Sequence, residues 1–241
     1  MVNFKHYKLR FRTDLPDYSD VPPISEYIDW SHTAYGNNPE EKPNDAPEPL
    51  GKPVIITNYY DASLIHDVLT GQAVTGVLHF YNKTPIDWYC KKQATTETAT
   101  YGSEFLACRT CCEQIIDHHN YLRYLGVPVF EINYTFGDNE SQVKSATIPS
   151  AKLHKRHNVL SFHFVRNVIS QGYINLQHIS SQYNAADILS KSWGYNSVWH
   201  NILRPIFHHA GNTASLFLDD TLLVDRSIPE DYNMFKVNGE C

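Results

Sequence analysis

The chain has 241 residues, of which 42% are hydrophobic and 19% charged, enough to bury a sizeable core and too apolar for disorder throughout. Its 20 basic residues against 26 acidic ones give a net charge of -6, which argues against a protein that grips nucleic acid through a uniformly basic surface. Residues 1–60 hold 6 bases and 9 acids, 61–193 hold 11 of each, and 194–241 hold 3 and 6, so the negative excess lies in the flanks and the middle is balanced.

No apolar run has the length of a membrane span, and the stretch from Met1 to Tyr7 lacks the apolar core of a secretory signal. A soluble intracellular protein, cytoplasmic (virus-like particles included) or nuclear and with no membrane partner, is expected. The five cysteines are Cys90, Cys108, Cys111, Cys112 and Cys241, too few and too clustered for a disulfide framework. Cys108 and Cys111 have a CxxC spacing, but no second Cys or His pair at zinc-finger spacing accompanies them. Free thiols packed in a core are expected.

In chain order, residues 1–53 read as an acidic, Pro-rich extension. Eight of the 13 prolines fall between residues 13 and 53, so this stretch should be extended, poorly ordered or wrapped on another surface, a linker and not a domain. A domain is expected over 54–193. It opens with a β-prone run from Val54 to Tyr60 that ends at Asp61. A second run, Thr75 to Tyr81, and a third, Ile86 to Tyr89, are joined by a turn at Asn82–Pro85.

A helix follows from about Ser103 to Tyr124, with Phe105, Cys108, Cys111, Cys112, Ile115, Ile116 and Leu122 at intervals of three and four on one apolar face; Gly126 and Pro128 stop it. A fourth strand is expected from Phe130 to Phe136, running into Gly137 and Asp138. A short helix then ends near Pro149, another spans His157 to Ser170, a fifth strand runs from Tyr173 to Ile179, and a helix begins at Ala185. The order βββ, α, β, α, α, β, α predicts an α+β (mixed α/β) fold, helices covering one sheet. Beyond it, 194–241 should supply a helix through Trp199, Leu203, Ile206 and Phe207, then a polar tail.

Four acids sit at element ends: Asp61, Glu104, Asp138 and Asp187. If the first and fourth strands are parallel neighbours, Asp61 and Asp138 share a sheet edge, and Glu104 lies on the helix stripe that faces the sheet. Carboxylates brought together without cations repel, and such hard oxygen donors suit Mg²⁺ or Mn²⁺. Two ions about 4 Å apart can activate a water and stabilise the leaving oxygen at phosphorus. Acids also favour helix N-termini for structural reasons, and spacing alone leaves both readings open.

The segment from Asp61 to Lys191 resembles the ribonuclease H domain of copia-type long-terminal-repeat retrotransposon Pol polyproteins. The matching blocks are Tyr60-Asp61-Ala62, Thr75-Gly76-Val77-Leu78-His79-Phe80, Pro85 through Gln93, Glu104-Phe105-Leu106-Ala107, Gly137 through Ser141, Lys155-Arg156-His157 with Phe162 through Arg166, and Ala185 through Lys191. The resemblance implies a ribonuclease H-like fold with a five-stranded mixed sheet, and the tail of a polyprotein whose reverse transcriptase would be a partner. It implies hydrolysis of the RNA strand of RNA/DNA hybrids with two Mg²⁺ or Mn²⁺ ions and no small-molecule cofactor. Asp61, Glu104, Asp138 and Asp187 fall on the four metal-binding, catalytic acids.

For nucleic-acid contact the candidates are Lys91, Lys92, Gln93, Asn139, Lys155, Arg156, His157, Arg166 and Lys191, with Lys152–His157 the densest basic cluster. Glu104 and the backbone near Ala62 and Ser63 are candidate readers of the RNA 2'-hydroxyl. His118 and His119, late on the long helix, are expected to be structural and to interact with its dipole. Many ribonucleases H carry a mobile-loop His before the last acid; residues 180–185 have none, so slow turnover is expected. The competing reading is a decayed fragment that binds nucleic acid or a partner without cleaving. An integrase or transposase of the same fold is disfavoured by the fourth acid and by Lys91-Lys92-Gln93.

Overall fold

The computed structural model describes residues 7–9, 11–19, 28–36, 40, 42–64, 69–130, 133–153, 156–191 and 206–209. In chain order the strands are β1 (Tyr7–Leu9), β2 (Ile56–Ser63), β3 (Val74–Tyr81), β4 (Thr84–Lys92), β5 (Asn133–Gly137), β6 (Ile174–His178) and β7 (Phe207–His209). The α-helices are α1 (Thr100–Tyr124), α2 (Glu140–Thr147), α3 (Val159–Ser170) and α4 (Asp187–Ser190).

Five strands form a mixed sheet in the order β4-β3-β2-β5-β6. Strands β2, β3 and β4 make an antiparallel meander, whereas β5 pairs parallel to β2 and β6 parallel to β5. Parallel neighbours need crossovers, and α1 carries the chain from β4 to β5 while α2 and α3 carry it from β5 to β6. The expected sheet and helix order is therefore present. β4 is longer than the Ile86–Tyr89 run because, as an edge strand, its solvent side carries polar residues and hides the alternation that marks half-buried strands.

The alternation of β2 divides the core. Tyr60 and Ala62 face α1 and α3, where Phe105, Cys108, Cys111, Cys112, Ile115, Phe162 and Val165 are buried around them. Tyr59 faces the other way, with Leu78, Phe80, Phe136, Ala185 and Ala186. The three helix cysteines are thus reduced, buried core residues.

A polar row lies on the α1 side. His79 Nδ1 is 2.7 Å from Asn58 Oδ1, and its Nε2 is 3.0 Å from the Gln114 side-chain amide. His118 meets the Tyr81 hydroxyl and His119 contacts Asn133. Burial holds the His79 ring down at about 4 and lowers His118 and His119 as well. His118 and His119 are structural, as expected, but burial disfavours the charged form on which a dipole interaction would depend.

The described part of the extension wraps the domain and supplies both cores. Tyr18 stacks on Tyr134 at 3.9 Å and hydrogen-bonds Thr57. Trp30 is buried on the other face, its ring 4.8 Å from the Arg166 guanidinium. Leu50 N–H donates to Gly126 O, and Val54 bridges Val129. Of the alternatives open for this stretch, wrapping on another surface describes these residues, and Pro spacing conceals their isolated aromatic anchors. At the other terminus Ile206 is buried against Tyr18's cluster, and Phe207–His209 pairs with β1 as a strand instead of continuing a helix. Trp199 and Leu203 lie outside the described residues. Among the described residues no helix is long and apolar enough to cross a membrane.

Candidate active site

The sheet register builds the site. Thr57 pairs with Tyr134 and Tyr59 with Phe136, so the same parallel register carries Asp61 of β2 to the level of Asp138, one residue beyond β5. Glu104 reaches the same point from the second turn of α1. One carboxylate oxygen from each of Asp61, Glu104 and Asp138 lies within 4.8 Å of the other two. Asp61 is 1% exposed and Glu104 4%.

Asp187 joins through a basic residue. Lys191 Nζ is 2.6 Å from Asp187 Oδ1, 3.3 Å from Asp61 Oδ1 and 3.8 Å from Asp138 Oδ2. All four acids named from the sequence therefore lie at one end of the sheet, Asp61, Glu104 and Asp138 as a tight cluster and Asp187 beside it, tied in through Lys191 on the more open side.

Two close approaches make this possible. A Cβ on Gly76, which is paired with Asp61 across β2 and β3, would lie 2.9 Å from Ala186 O and 3.1 Å from Ser190 N, so only glycine lets α4 rest on the sheet. A Cβ on Gly137 would strike the Tyr60 hydroxyl, which donates to Gln142 Oε1 at 2.5 Å. Side chains then fasten α4. Asn184 Nδ2 donates to Tyr60 O at 3.0 Å while its Oδ1 accepts from Ala186 N–H, Ser190 Oγ donates to Asp61 Oδ2, and the Cys90 thiol donates to Leu189 O. Gly76, Asn184 and Ser190 were not singled out from the sequence. An isolated glycine inside a β-prone run is a sign of close backbone approach, and Gly76 carries that sign.

Burial, reinforced by neighbouring carboxylates, raises the proton affinity of Asp61, Glu104 and Asp187. Burial raises the Glu104 carboxyl well above the carboxylate range, helped by Asp61 and Asp138. Burial also raises Asp61, with Lys191 opposing and Asp138 reinforcing. Asp187 is pushed up to about 7 by burial and then by Asp61. For Lys191 burial acts downward, but Asp61 and Asp187 outweigh it and its ammonium is raised. Glu104 Oε2 is buried with no hydrogen-bond partner among the described residues. An orphaned acceptor beside two more carboxylates fits a hard divalent cation, which satisfies oxygen lone pairs and cancels their repulsion.

The expected nucleic-acid contacts divide. Lys91 and Lys92, at the β4 end, and Arg156 are exposed. His157 pairs with the buried Glu97 carboxylate at 2.8 Å. Lys155 lies outside the described residues. Asn139 is the N-cap of α2, its Oδ1 accepting from Gln142 N–H. Gln93 is buried as a clasp, Nε2 donating to Thr75 Oγ1 and Ser103 O, both at 2.9 Å. Arg166, 2% exposed, donates to the carbonyls of Ser145, Ile148 and Pro149. Gln93 and Arg166 are thereby corrected from nucleic-acid contacts to internal ties, because both are buried and Gln93 Nε2 and the two Arg166 terminal nitrogens are used on backbone and hydroxyl groups. His178, at the end of β6, donates to Asp138 O at 3.2 Å.

No protein-family model matches the chain. The architecture, a five-stranded mixed sheet in the order β4-β3-β2-β5-β6 with flanking helices, is the one that the ribonuclease H resemblance implies. In sequence the chain is similar to the retrovirus-related Pol polyproteins of plant transposons: it is 23% identical over 141 residues to that of TNT 1-94 from Nicotiana tabacum and equally so to that of RE2 from Arabidopsis thaliana. The match covers 58% of this chain and 10% of each relative. Among solved structures, LC11-RNase H1 in complex with RNA/DNA hybrid is 19% identical, with a TM-score of 0.45 over 56% of this chain and 93% of that one.

Proposed function

We propose that this chain is a metal-dependent endonuclease that hydrolyses the RNA strand of RNA/DNA hybrids, the ribonuclease H part of a copia-type Pol polyprotein. The observation that carries the reading is the convergence of Asp61, Glu104 and Asp138 around the orphaned Glu104 oxygen. Asp61 and Asp138 would hold both of two Mg²⁺ or Mn²⁺ ions, Glu104 the one on the leaving-group side, and Asp187 the one on the water side. Such ions supply an activated water and charge stabilisation at phosphorus.

The chain's own residues prepare that chemistry. The β2–β5 register fixes two carboxylates side by side, α1 buries a third against them, and α4 sets Asp187 on the open side. Ala62 N–H is engaged by Glu104, so among the candidate 2'-hydroxyl readers Glu104 and the Ser63 backbone are the ones kept. Exposed Lys91, Lys92 and Arg156 would contact phosphates, and with so few of them hybrid binding should be weak, and weaker still as salt rises. A reverse transcriptase domain would supply further affinity, in an intracellular setting.

The test is cleavage of a labelled RNA/DNA hybrid with Mg²⁺ or Mn²⁺, comparing wild type with Asp138→Asn. Metal-dependent cleavage by wild type, lost in the variant, is expected. Well-folded wild type that cleaves with neither ion overturns the enzyme reading and leaves a fragment that binds hybrid or a partner.

A further inference from the structure

Lys191 has an unusual address. It follows α4 directly, one helical turn beyond Asp187, and its side chain is 42% exposed, so solvent is open to it. Its ammonium nevertheless turns inward to three carboxylates at 2.6, 3.3 and 3.8 Å. A surface lysine gains little from one exposed carboxylate and keeps its side-chain entropy; three acids, one of them fully buried, change that balance. The ammonium reaches oxygens of Asp61 and Asp138, two of the three residues whose carboxylates cluster. A divalent cation held by those oxygens and an ammonium at these distances would repel each other.

We infer that the Lys191 ammonium and a divalent cation are alternative occupants of this acidic pocket: Lys191 is a built-in counter-charge, and metal binding expels it toward solvent. The inference rests on the metal-holding reading of Asp61, Glu104 and Asp138. It gives Lys191 a role apart from phosphate contact. Lys191 lets the four acids be assembled by folding before any ion arrives, and it sets a threshold that the ion must exceed. The α4 seat is suited to this, because Gly76 and Asn184 fix the backbone of the turn while the long Lys191 side chain swings from its end.

Calorimetric titration of the full chain with Mn²⁺ or Ca²⁺ tests the competition. Lys191→Met should bind either ion roughly tenfold more tightly than wild type, the size of an ordinary coupling between two sites, and Lys191→Arg, which keeps the charge, should stay near wild type. A second measurement needs no variant. Amine-reactive labelling of wild type read by mass spectrometry should show Lys191 becoming several-fold more reactive when Ca²⁺ is added, with Lys144, paired to Glu140 on the surface, unchanged. Equal or weaker metal binding by Lys191→Met, or a Lys191 reactivity indifferent to Ca²⁺, overturns the inference and leaves the metal site standing. If neither wild type nor Lys191→Met binds either ion, the metal site itself is overturned and the inference with it.

Discussion

The helix α1 carries two buried polar regions that solve opposite problems. Toward its C-terminal half, Gln114 and His118 join His79, Asn58 and Tyr81 in a row. There the His79 ring nitrogens face the side-chain amides of Asn58 and Gln114, and His118 meets the Tyr81 hydroxyl, so the buried polar groups find partners. Toward its N-terminal half, Glu104 meets Asp61 and Asp138, and one of its oxygens has no partner. The histidine row stabilises the fold by completing its hydrogen bonds. The acid cluster keeps unmet valence, and under the proposed function local stability is given up there for the capacity to bind a cation.

The sharpest break of that contrast is Asp61→Asn. Hybrid cleavage should fall by about a thousandfold or more, since several kcal/mol of metal-borne stabilisation would go. Thermal unfolding in metal-free buffer at pH 8 should occur at the same or a higher temperature, because a buried charge has been removed. A large drop in midpoint would mean that the acids stabilise the fold as the histidines do.

Acid should distinguish the regions next. His79 stays neutral in the fold down to about pH 4, while an unfolded chain takes up that proton near its ordinary value of about 6.5. The unfolded state binds more protons across this window, so stability is fully present above it and falls as pH drops from about 6.5 to 4, by up to about 3 kcal/mol from this group. Urea melts at pH 7 and pH 4.5 should show the loss, and His79→Gln should flatten it.

A smaller effect is expected of Gly76→Ala. Its methyl group would press on Ala186 and Ser190, destabilising by about 2 kcal/mol as overpacking does. Because α4 must shift, Mn²⁺ affinity should fall with it, whereas a variant in the histidine row should lose stability at unchanged affinity. Smallest is Cys90→Ala. It removes one thiol bond to Leu189 O at the sheet edge, and it should change stability by less than about 1 kcal/mol and cleavage hardly at all.

The sequence made the acids legible in two steps. Asp61, Asp138 and Asp187 stand at the ends of predicted elements and Glu104 on the stripe of Cys108 and Cys111, a placement that leaves them ambiguous until the family resemblance picks them out; Asp61 in fact lies inside β2. The apolar stripe of α1 and the meander were readable from residue pattern directly. What escaped were relations between distant segments. Nothing in the local pattern says that the Arg166 guanidinium would be spent on the carbonyls of Ser145, Ile148 and Pro149, or that Gln93 would clasp Ser103. A basic or amide side chain looks the same in sequence whether it faces phosphate or backbone. The aromatic anchors Tyr18 and Trp30 were hidden by the prolines around them, because composition averages over a stretch while burial is decided by single side chains.

The glycine seat under α4 bears on the order in which the chain can become competent. Three of the acids lie on β2, on α1 and at the end of β5, but Asp187 arrives only after β6 has been laid down and the turn has settled on Gly76. A nascent chain released before that turn would have the central sheet and three carboxylates, yet neither the fourth acid nor its lysine. Synthesis itself thus delays the complete site until nearly the whole domain has been made.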